Sequence, residues 1–415
     1  MNEKSTVLDQ VQSVVDALSG YLWQGVTWLL ILAGLYFCFR TIVVQVRYLP
    51  AMFGAITEKP SKSQSGRDGI SSFKAFTISA ASRVGTGNVA GVAIAVTTGG
   101  PGAVFWMWML AIIGGASSFV ESTLAQAYKV RDADNYRGGP AYYIQRGLSS
   151  KPAAKLFAVV ITFVFGFAYE ATQANTIAAT MKSTFHIEPW MTAVGLVVIT
   201  TPIIFKGIKS VAAVSEWLVP IMTVVYALIA VAILVLHASA IPGAIISIFE
   251  GAFGLNQVFA GTAGGFTAAL LNGTRRGLFS NEAGLGTVPN AAGTATVTHP
   301  VKQGLVQSFG VFVDTILVCT ATGLIILLAT DAYRPGDDSL IGAVLTQQAI
   351  VEHLGGWTTW PMVALIFVLV FSTVLGCYSY SQVNVDFLGG ERRAEQVLGI
   401  VLTAAAFAGT VLTLP

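Results

Sequence analysis

The chain has 415 residues, of which 54% are hydrophobic and only 11% are charged, and its formal net charge is +2. A soluble globular protein carries about 25% charged residues, so a soluble chain of this length is excluded, and the near-neutral charge gives no indication of a nucleic-acid partner. Apolar runs long enough to cross a hydrocarbon core of about 30 Å as helices recur along the chain. The composition therefore predicts an all-α polytopic membrane protein.

The hydrophobic runs predict ten membrane spans in chain order. The three cysteines fall inside these runs without the spacing of a metal or redox motif, which predicts that they are packing residues. The predicted spans are 21–39, 73–98, 104–128, 156–181, 189–205, 214–237, 257–280, 304–329, 359–384 and 395–415.

Most of the 23 basic residues fall in alternate loops, above all in 40–74 and 129–155. Because basic residues concentrate in cytoplasmic loops, these loops are predicted to be cytoplasmic, and the N-terminus is predicted to lie outside the plasma membrane. The opposite side carries an acidic loop at 331–353. This loop is long enough to hold a short helix over the entrance, although a solvated loop is the simpler interpretation.

Glycines interrupt the centres of two spans. The second span reads VGTGNVAG over 84–91, and the seventh reads AGTAGGF over 260–266. Glycine costs a helix about 1 kcal/mol relative to alanine, so both helices are predicted to break there. Backbone groups exposed at such a break are tolerated where they face a solute or an ion. Glycines can also simply permit close helix packing, which is our interpretation of Gly114 and Gly115.

The two glycine-rich spans run in opposite directions, and each of them opens a set of spans, which is typical of an inverted repeat. This arrangement predicts an extra N-terminal span with its loop at 1–72, a first five-helix repeat at 73–240 and a second repeat at 241–415. From 257 onward there are only four spans. We therefore expect that the last helix is missing and that the chain is a fragment of a longer protein.

Five motifs identify a transporter family by their order: SRVGTGNVAGVA (82–93), GGPGAVFWMWMLAIIG (99–114), GGPAYYI (138–144), QANTIA (173–178) and FSNEAGLG (279–286). On these motifs, nearly the whole chain resembles the alanine or glycine:cation symporter family. The resemblance implies sodium-driven transport of a small neutral amino acid. It also implies the five-plus-five inverted-repeat fold of the bacterial leucine transporter, with one extra N-terminal helix.

The resemblance also implies the residues of the substrate site, where the two broken helices would face each other. The residues expected to bind the substrate are Gly85, Thr86, Gly87, Asn88, Gln173, Gly264, Gly265, Phe266, Thr373 and Cys377. A buried amide such as that of Gln173 can instead form an interhelical hydrogen bond, but its place in the QAN motif favours the site.

The implied fold also suggests a sodium site. Hard cations prefer oxygen ligands, and the adjacent hydroxyls of Ser372 and Thr373 would bind sodium together with the main-chain carbonyls of Ala81 and Val84. The alternative is that both hydroxyls bond only to the backbone of their own helix.

Cys377 departs from the family pattern STxLGW, which has a tryptophan at this position. Because cysteine is much smaller, the departure predicts a pocket for larger neutral amino acids such as glutamine, whose side-chain amide Glu170 or Gln173 could bind. The alternative is that a neighbouring bulky side chain fills the space and the substrate remains alanine.

Four of the ionisable residues within the predicted spans, Arg83, Glu121, Glu170 and Asp314, are expected to be buried in the membrane, where charges are functional or paired. For Glu121 and Asp314 we favour a structural pairing or gating role, since neither belongs to the cavity helices. Glu170 stands where the family usually has an uncharged residue. It could pair with Arg83, take up a proton or attract a substrate ammonium group.

The sequence thus predicts a monomeric symporter that uses sodium as its coupling ion, needs no other cofactor and works by alternating access. Proton coupling is the alternative, because Glu170 keeps it open. A membrane enzyme is not expected, since the chain has no HExxH or GxSxG motif. A channel would leave a continuous polar pore, whereas two broken helices in opposed repeats favour alternating access.

Overall fold

A computed structural model describes residues 3–58, 70–132, 135–254, 265–334, 336, 340–390 and 392–411. In chain order the helices are α1 (Glu3–Arg40), α2 (Val44–Arg47), α3 (Leu49–Ile56), α4 (Ser72–Arg83), α5 (Gly87–Gly99), α6 (Gly102–Ala127), α7 (Pro140–Gly147), α8 (Lys151–Phe185), α9 (Pro189–Ile204), α10 (Ile208–Leu236), α11 (Ile241–Ala252), α12 (Phe266–Asn281), α13 (Val288–Ala292), α14 (Pro300–Leu328), α15 (Gly342–Leu354), α16 (Thr359–Phe387) and α17 (Arg392–Val411). An antiparallel hairpin of β1 (Val130–Asp132) and β2 (Asn135–Arg137) lies between α6 and α7.

Seven helices of the described chain are long and apolar enough to cross a membrane, namely those within α1, α6, α8, α10, α14, α16 and α17. The expectation of an all-α polytopic membrane protein is confirmed at this level. Three predicted spans take another form. The second is divided into α4 and α5, the fifth is the shorter helix α9, and the seventh coincides with α12, while its first residues, 257–264, lie outside the described residues.

The outward surface of α10 shows what the long helices face. Trp217, Leu228 and Val235 each expose more than half of their surface, although all three are strongly apolar. Water would penalise such exposure, whereas lipid tails do not. The exposure of these side chains therefore indicates that this surface of α10 contacts the bilayer.

The second span breaks between α4 and α5. The amide of Gly85 donates to the carbonyl of Arg83, at 2.9 Å, and to Oδ1 of Asn88, at 3.0 Å. It does not bond to the carbonyl of Ala81, which an uninterrupted helix would require. Val84 leaves the helical region with φ −77° and ψ 81°. The interruption lies at Val84–Thr86, within the glycine-rich segment 84–91 where the sequence predicted a break, and α5 then begins with a π-helical turn at Gly87–Gly91.

The loop at 331–353 is not the solvated segment that we considered simplest, because it contains the buried helix α15. Leu345 and Ala349 are one helical turn apart and almost fully buried. The hydroxyl of Thr346 donates to the carbonyl of Val89 in α5, at 2.9 Å. The apolar residues at helical spacing therefore determine the structure of this segment more than its acidic residues do. They form the buried helix α15, which packs against α5.

The inner surfaces of two helices meet at a glycine beside the break. A Cβ atom built on Gly376 of α16 would lie 2.7 Å from the backbone nitrogen of Ser82 in α4. Such close approach needs a residue without a side chain. The backbone of α16 consequently runs directly against the last turn of α4, and this contact positions the site.

Candidate functional site

The broken helix contacts two polar side chains from neighbouring helices. A side chain at Gly85 would collide with the hydroxyl oxygen of Thr373 in α16, and the hydroxyl of Thr86 donates a hydrogen bond to Oε1 of Gln173 in α8. Gln173 and Thr373 are fully buried. The structure therefore brings four of the expected substrate residues, Gly85, Thr86, Gln173 and Thr373, into one cluster at the break.

The four expected sodium ligands lie beside this cluster. The hydroxyl oxygen of Ser372 is 3.4 Å from the carbonyl oxygen of Ala81, and the hydroxyls of Ser372 and Thr373 both donate to the carbonyl of Leu369, at 2.8 and 3.0 Å. Bonding to their own helix, which we had considered as an alternative, thus occurs. It uses the hydroxyl protons and leaves oxygen lone pairs that can bind a cation.

The other side of the break meets the end of α12 and the middle of α14. A Cβ atom on Gly87 would lie 3.0 Å from the Cα atom of Ser280. The side-chain amide of Asn88 donates to the carboxylate of Asp314, at 2.7 Å, and to the hydroxyl of Ser280, at 3.0 Å. Asp314 therefore contacts Asn88, one of the expected substrate residues, although we had placed it outside the cavity helices. Its hydrogen bonds are to neutral groups rather than to a paired cation.

Gly265 and Phe266, the expected residues of the seventh span that the structure describes, are not part of this cluster. Gly264 lies outside the described residues. Phe266 begins α12 and packs edge-on against Trp106, with ring centroids 5.5 Å apart, and it remains 46% exposed. Fourteen residues separate Phe266 from Ser280, and a rise of about 1.5 Å per residue puts the two roughly 21 Å apart. The C-terminal end of α12, rather than Gly265 and Phe266, contacts Gly87.

Cys377 and Glu170 occupy the interface between α8 and α16. Both are fully buried, and they lie within electrostatic range of each other. Neither carboxylate oxygen of Glu170 has a hydrogen-bond partner among the residues that the structure describes. Arg83 does not pair with it, because the guanidinium donates to the backbone carbonyl of Gln307, at 3.2 Å, and to its side-chain oxygen, at 2.5 Å.

The sequence comparisons decide the family. The pattern that defines the sodium:alanine symporter family matches residues 8–415. The chain belongs to this family. Its members are membrane transporters that use sodium as the coupling ion, so the symporter is a transport protein and not an enzyme.

Several relatives of the symporter are similar over most of both chains. It is 46% identical to the amino-acid carrier protein AlsT of Bacillus subtilis, over 96% of this chain and 83% of the relative. It is 42% identical to the probable sodium/glutamine symporter GlnT of the same organism, over 97% and 82%. It is 35% identical to the sodium/alanine symporter AgcS of Methanococcus maripaludis, over 97% and 89%.

Two buried carboxylates near the break of the symporter involve the FSNEAGLG segment, one within it and one bonded to its backbone. Glu282, which the sequence analysis did not single out, accepts from the hydroxyls of Ser82, at 2.7 Å, and Thr287, at 2.8 Å. Glu121 accepts from the backbone amides of Gly284, at 3.1 Å, and Gly286, at 3.2 Å. A charged residue directly after a glycine-interrupted span is the signal that could have identified Glu282.

Proposed function

We propose that this symporter moves small neutral amino acids, foremost alanine and glycine, together with sodium across the plasma membrane by alternating access. The observation that carries the proposal is the helix break at Val84–Thr86, where the hydroxyl of Thr86 bonds to the buried side chain of Gln173 and Gly85 lies against the buried hydroxyl of Thr373. The C-terminal end of α4 carries a partial negative charge and the N-terminal end of α5 a partial positive charge. An amino-acid zwitterion and a cation are the solutes that suit such a pair of ends.

Sodium would bind beside the last turn of α4. The carbonyl of Ala81 is not bonded by the amide four residues later, because that amide bonds elsewhere. This carbonyl, the carbonyl of Val84 and the hydroxyls of Ser372 and Thr373 supply the oxygen ligands that a hard cation prefers. Since Thr373 also contacts Gly85, a sodium ion here would stabilise the same backbone that receives the substrate.

The substrate would bind on the side of the break that faces α8. Its main-chain groups would contact Gly85, Thr86, Gly87 and Asn88, with Gln173 fixed in place by Thr86. Thr373 and Cys377 on one face of α16 would line the same space. The name of the relative AgcS supports alanine as a substrate, and the name of AlsT supports an amino-acid substrate in general. The name of GlnT supports a larger substrate for some members.

Proton coupling is the second candidate, and Glu170 is the observation that favours it. A buried carboxylate without partners is strongly disfavoured in its charged form, so a proton could take the place of a cation there. Under this alternative, an inward proton gradient rather than a sodium gradient would drive uptake.

The architecture that we propose contains two inverted repeats, 73–240 and 241–415, preceded by the extra span and loop at 1–72. Loop charge supports an N-terminus outside the membrane and basic loops in the cytoplasm. We propose a monomer as the transporting unit.

Uptake by proteoliposomes tests the function. The purified protein is reconstituted, and entry of labelled alanine and glycine is measured under an inward sodium gradient, an inward proton gradient or neither. We expect saturable, electrogenic uptake that requires sodium. Uptake driven by protons alone would replace the first candidate with the second, and failure of both gradients to drive any amino acid would refute both.

A further inference from the structure

Glu170 differs from the other buried carboxylates described near the break. Asp314 accepts hydrogen bonds from Asn88 and Ser280, and Glu121 accepts them from two backbone amides. Both oxygens of Glu170 lack a partner among the described residues, although the residue is fully buried. Buried polar groups are almost always hydrogen-bonded, so the structure leaves two acceptor positions here to be filled.

An open donor lies on the same helix face, three residues further along α8. The side-chain oxygen of Gln173 accepts from Thr86, whereas its Nε2 atom has no acceptor among the described residues. Residues three apart are neighbours on the surface of a helix. Glu170 and Gln173 thus present two acceptors and one donor side by side, and their side chains do not hydrogen-bond to each other.

These open positions define the group that would satisfy them. A proton or a metal ion could complement Glu170, but it would leave the Nε2 atom of Gln173 without an acceptor. A carboxamide carries two N–H donors and one carbonyl acceptor on the same carbon atom. Its NH₂ group can donate to Glu170 while its carbonyl accepts from Gln173, so a single group complements both side chains at once.

We propose that Glu170 and Gln173 form a side-chain subsite that selects neutral amino acids with a carboxamide side chain. The proposal rests on the proposed function, because the substrate main chain would have to bind at the helix break. The hydrogen bond between Thr86 and Gln173 joins the two locations. A substrate bound at Thr86 would extend its side chain along the interface of α8 and α16 toward Glu170 and the small side chain of Cys377.

The test compares substrates of similar length in proteoliposomes. Unlabelled glutamine, asparagine and norleucine are used to inhibit the uptake of labelled alanine, and the uptake of labelled glutamine is measured directly. We expect glutamine or asparagine to inhibit at concentrations roughly tenfold or more below those of apolar norleucine, as for a hydrogen bond to a charged group. Equal inhibition by norleucine, or no inhibition by either amide, overturns the proposal.

The variant Glu170→Leu removes both acceptors while keeping similar bulk. We expect the inhibition constant of the amide substrate to rise roughly tenfold or more, with the half-saturation concentration of alanine changed by less than about twofold. Thr192→Val is the matched control, because Thr192 of α9 is also buried with an unpartnered hydroxyl. This control is expected to change neither value.

Two further outcomes separate the proposal from its competitors. If Glu170→Gln, which keeps the shape and one acceptor, shifts the pH dependence of alanine uptake without changing side-chain selectivity, Glu170 binds a proton and the subsite is refuted. If Glu170→Leu does not fold, Glu170→Gln is used for the selectivity comparison, where we expect a weaker but measurable loss of amide affinity. If the unmodified protein takes up alanine with sodium but shows no selectivity for amides, only the subsite is refuted. If the unmodified protein shows no sodium-driven alanine uptake, the proposed function is refuted.

Discussion

The hydroxyl oxygen of Ser372 lies 3.4 Å from the carbonyl oxygen of Ala81, across the contact where Gly376 brings α16 against α4. The hydroxyl of Ser372 donates mainly to the carbonyl of Leu369, at 2.8 Å, and only weakly, at this longer distance, to the carbonyl of Ala81. A hydroxyl keeps acceptor lone pairs while it donates, so a cation bound here could be coordinated by both the Ser372 oxygen and the Ala81 carbonyl. This relationship is the basis of the first prediction.

Replacing Ser372 or Thr373 by alanine removes an oxygen ligand from the proposed sodium site. Losing such a contact costs about 1.5–3 kcal/mol, which corresponds to a roughly 10- to 100-fold higher sodium requirement. The measurement is alanine uptake at varied sodium concentration. Ser379→Ala is the matched control, since its buried hydroxyl bonds only to Leu375 of its own helix, at 3.1 Å. An unchanged sodium requirement in both single variants would contradict the assignment.

Gly85→Ala places a methyl group on the hydroxyl oxygen of Thr373. We expect transport to be impaired, because the hydroxyl of Thr373 must turn away from the break and is then lost to the proposed sodium site. Gly91→Ala is the control, since its nearest neighbour, the carbonyl oxygen of Thr86, is 4.0 Å from the added atom. It should keep most of its activity. Uptake and thermal unfolding are measured for both, and full activity of Gly85→Ala would show that the break tolerates a side chain.

Cys377→Trp tests whether the small residue enlarges the pocket. We expect the variant to keep alanine uptake and to lose larger neutral amino acids, while Cys377→Ala, of similar size to the original, keeps both. The comparison uses labelled alanine and glutamine. Equal loss of all substrates in the tryptophan variant, or an unmodified protein that carries only glycine and alanine, would show that Cys377 does not set substrate size.

Glu352 makes the attachment of α15 dependent on pH. Burial acts to raise the pKa of Glu352, but hydrogen bonds from the backbone amides of Ala332, Thr330 and Asp331 outweigh it and hold the pKa below its ordinary value. A lowered pKa in the folded state means that this attachment is fully present above the ordinary value of about 4.3 and is lost as the pH falls through the lowered one.

Hydrogen exchange measures this attachment directly. At neutral pH the amides of Thr330 and Ala332 should be protected, and Glu352→Ala should remove the protection. Glu352→Gln should keep part of it, because its side-chain oxygen still accepts. Equal protection in all three proteins would mean that the carboxylate does not hold the loop.

The sequence predicted the elements whose signal is local. Glycine propensity located the break beside Val84, and apolar run length located the spans, because both depend on nearby residues alone. The contact between Asn88 and Asp314 could not be predicted in this way, since 226 positions separate the two residues. The same holds for Arg83, which bonds to an uncharged glutamine although charge pairing would favour a carboxylate.

The residues of the seventh span show a further limit. The family resemblance implied that this span faces Gly85–Asn88 across the site, but its residues 257–264 lie outside the described part of the chain. Among the described residues of α12, those that contact Gly87 are Phe279 and Ser280. Which end of a helix meets its neighbour depends on the packing of whole helices, and short motifs do not contain that information.

Helix α15 is attached to two other helices. Thr346 bonds it to the carbonyl of Val89 in α5. At its far end, His353 bonds to the carbonyl of Ile325 in α14, at 2.9 Å, and Glu352 holds the residues that follow α14. If the alternating access that we propose moves α5 relative to α14, one of these attachments must be released or α15 must move with one of the two helices. Opening of this face would then depend on how readily α15 gives up these polar contacts and its buried apolar ones.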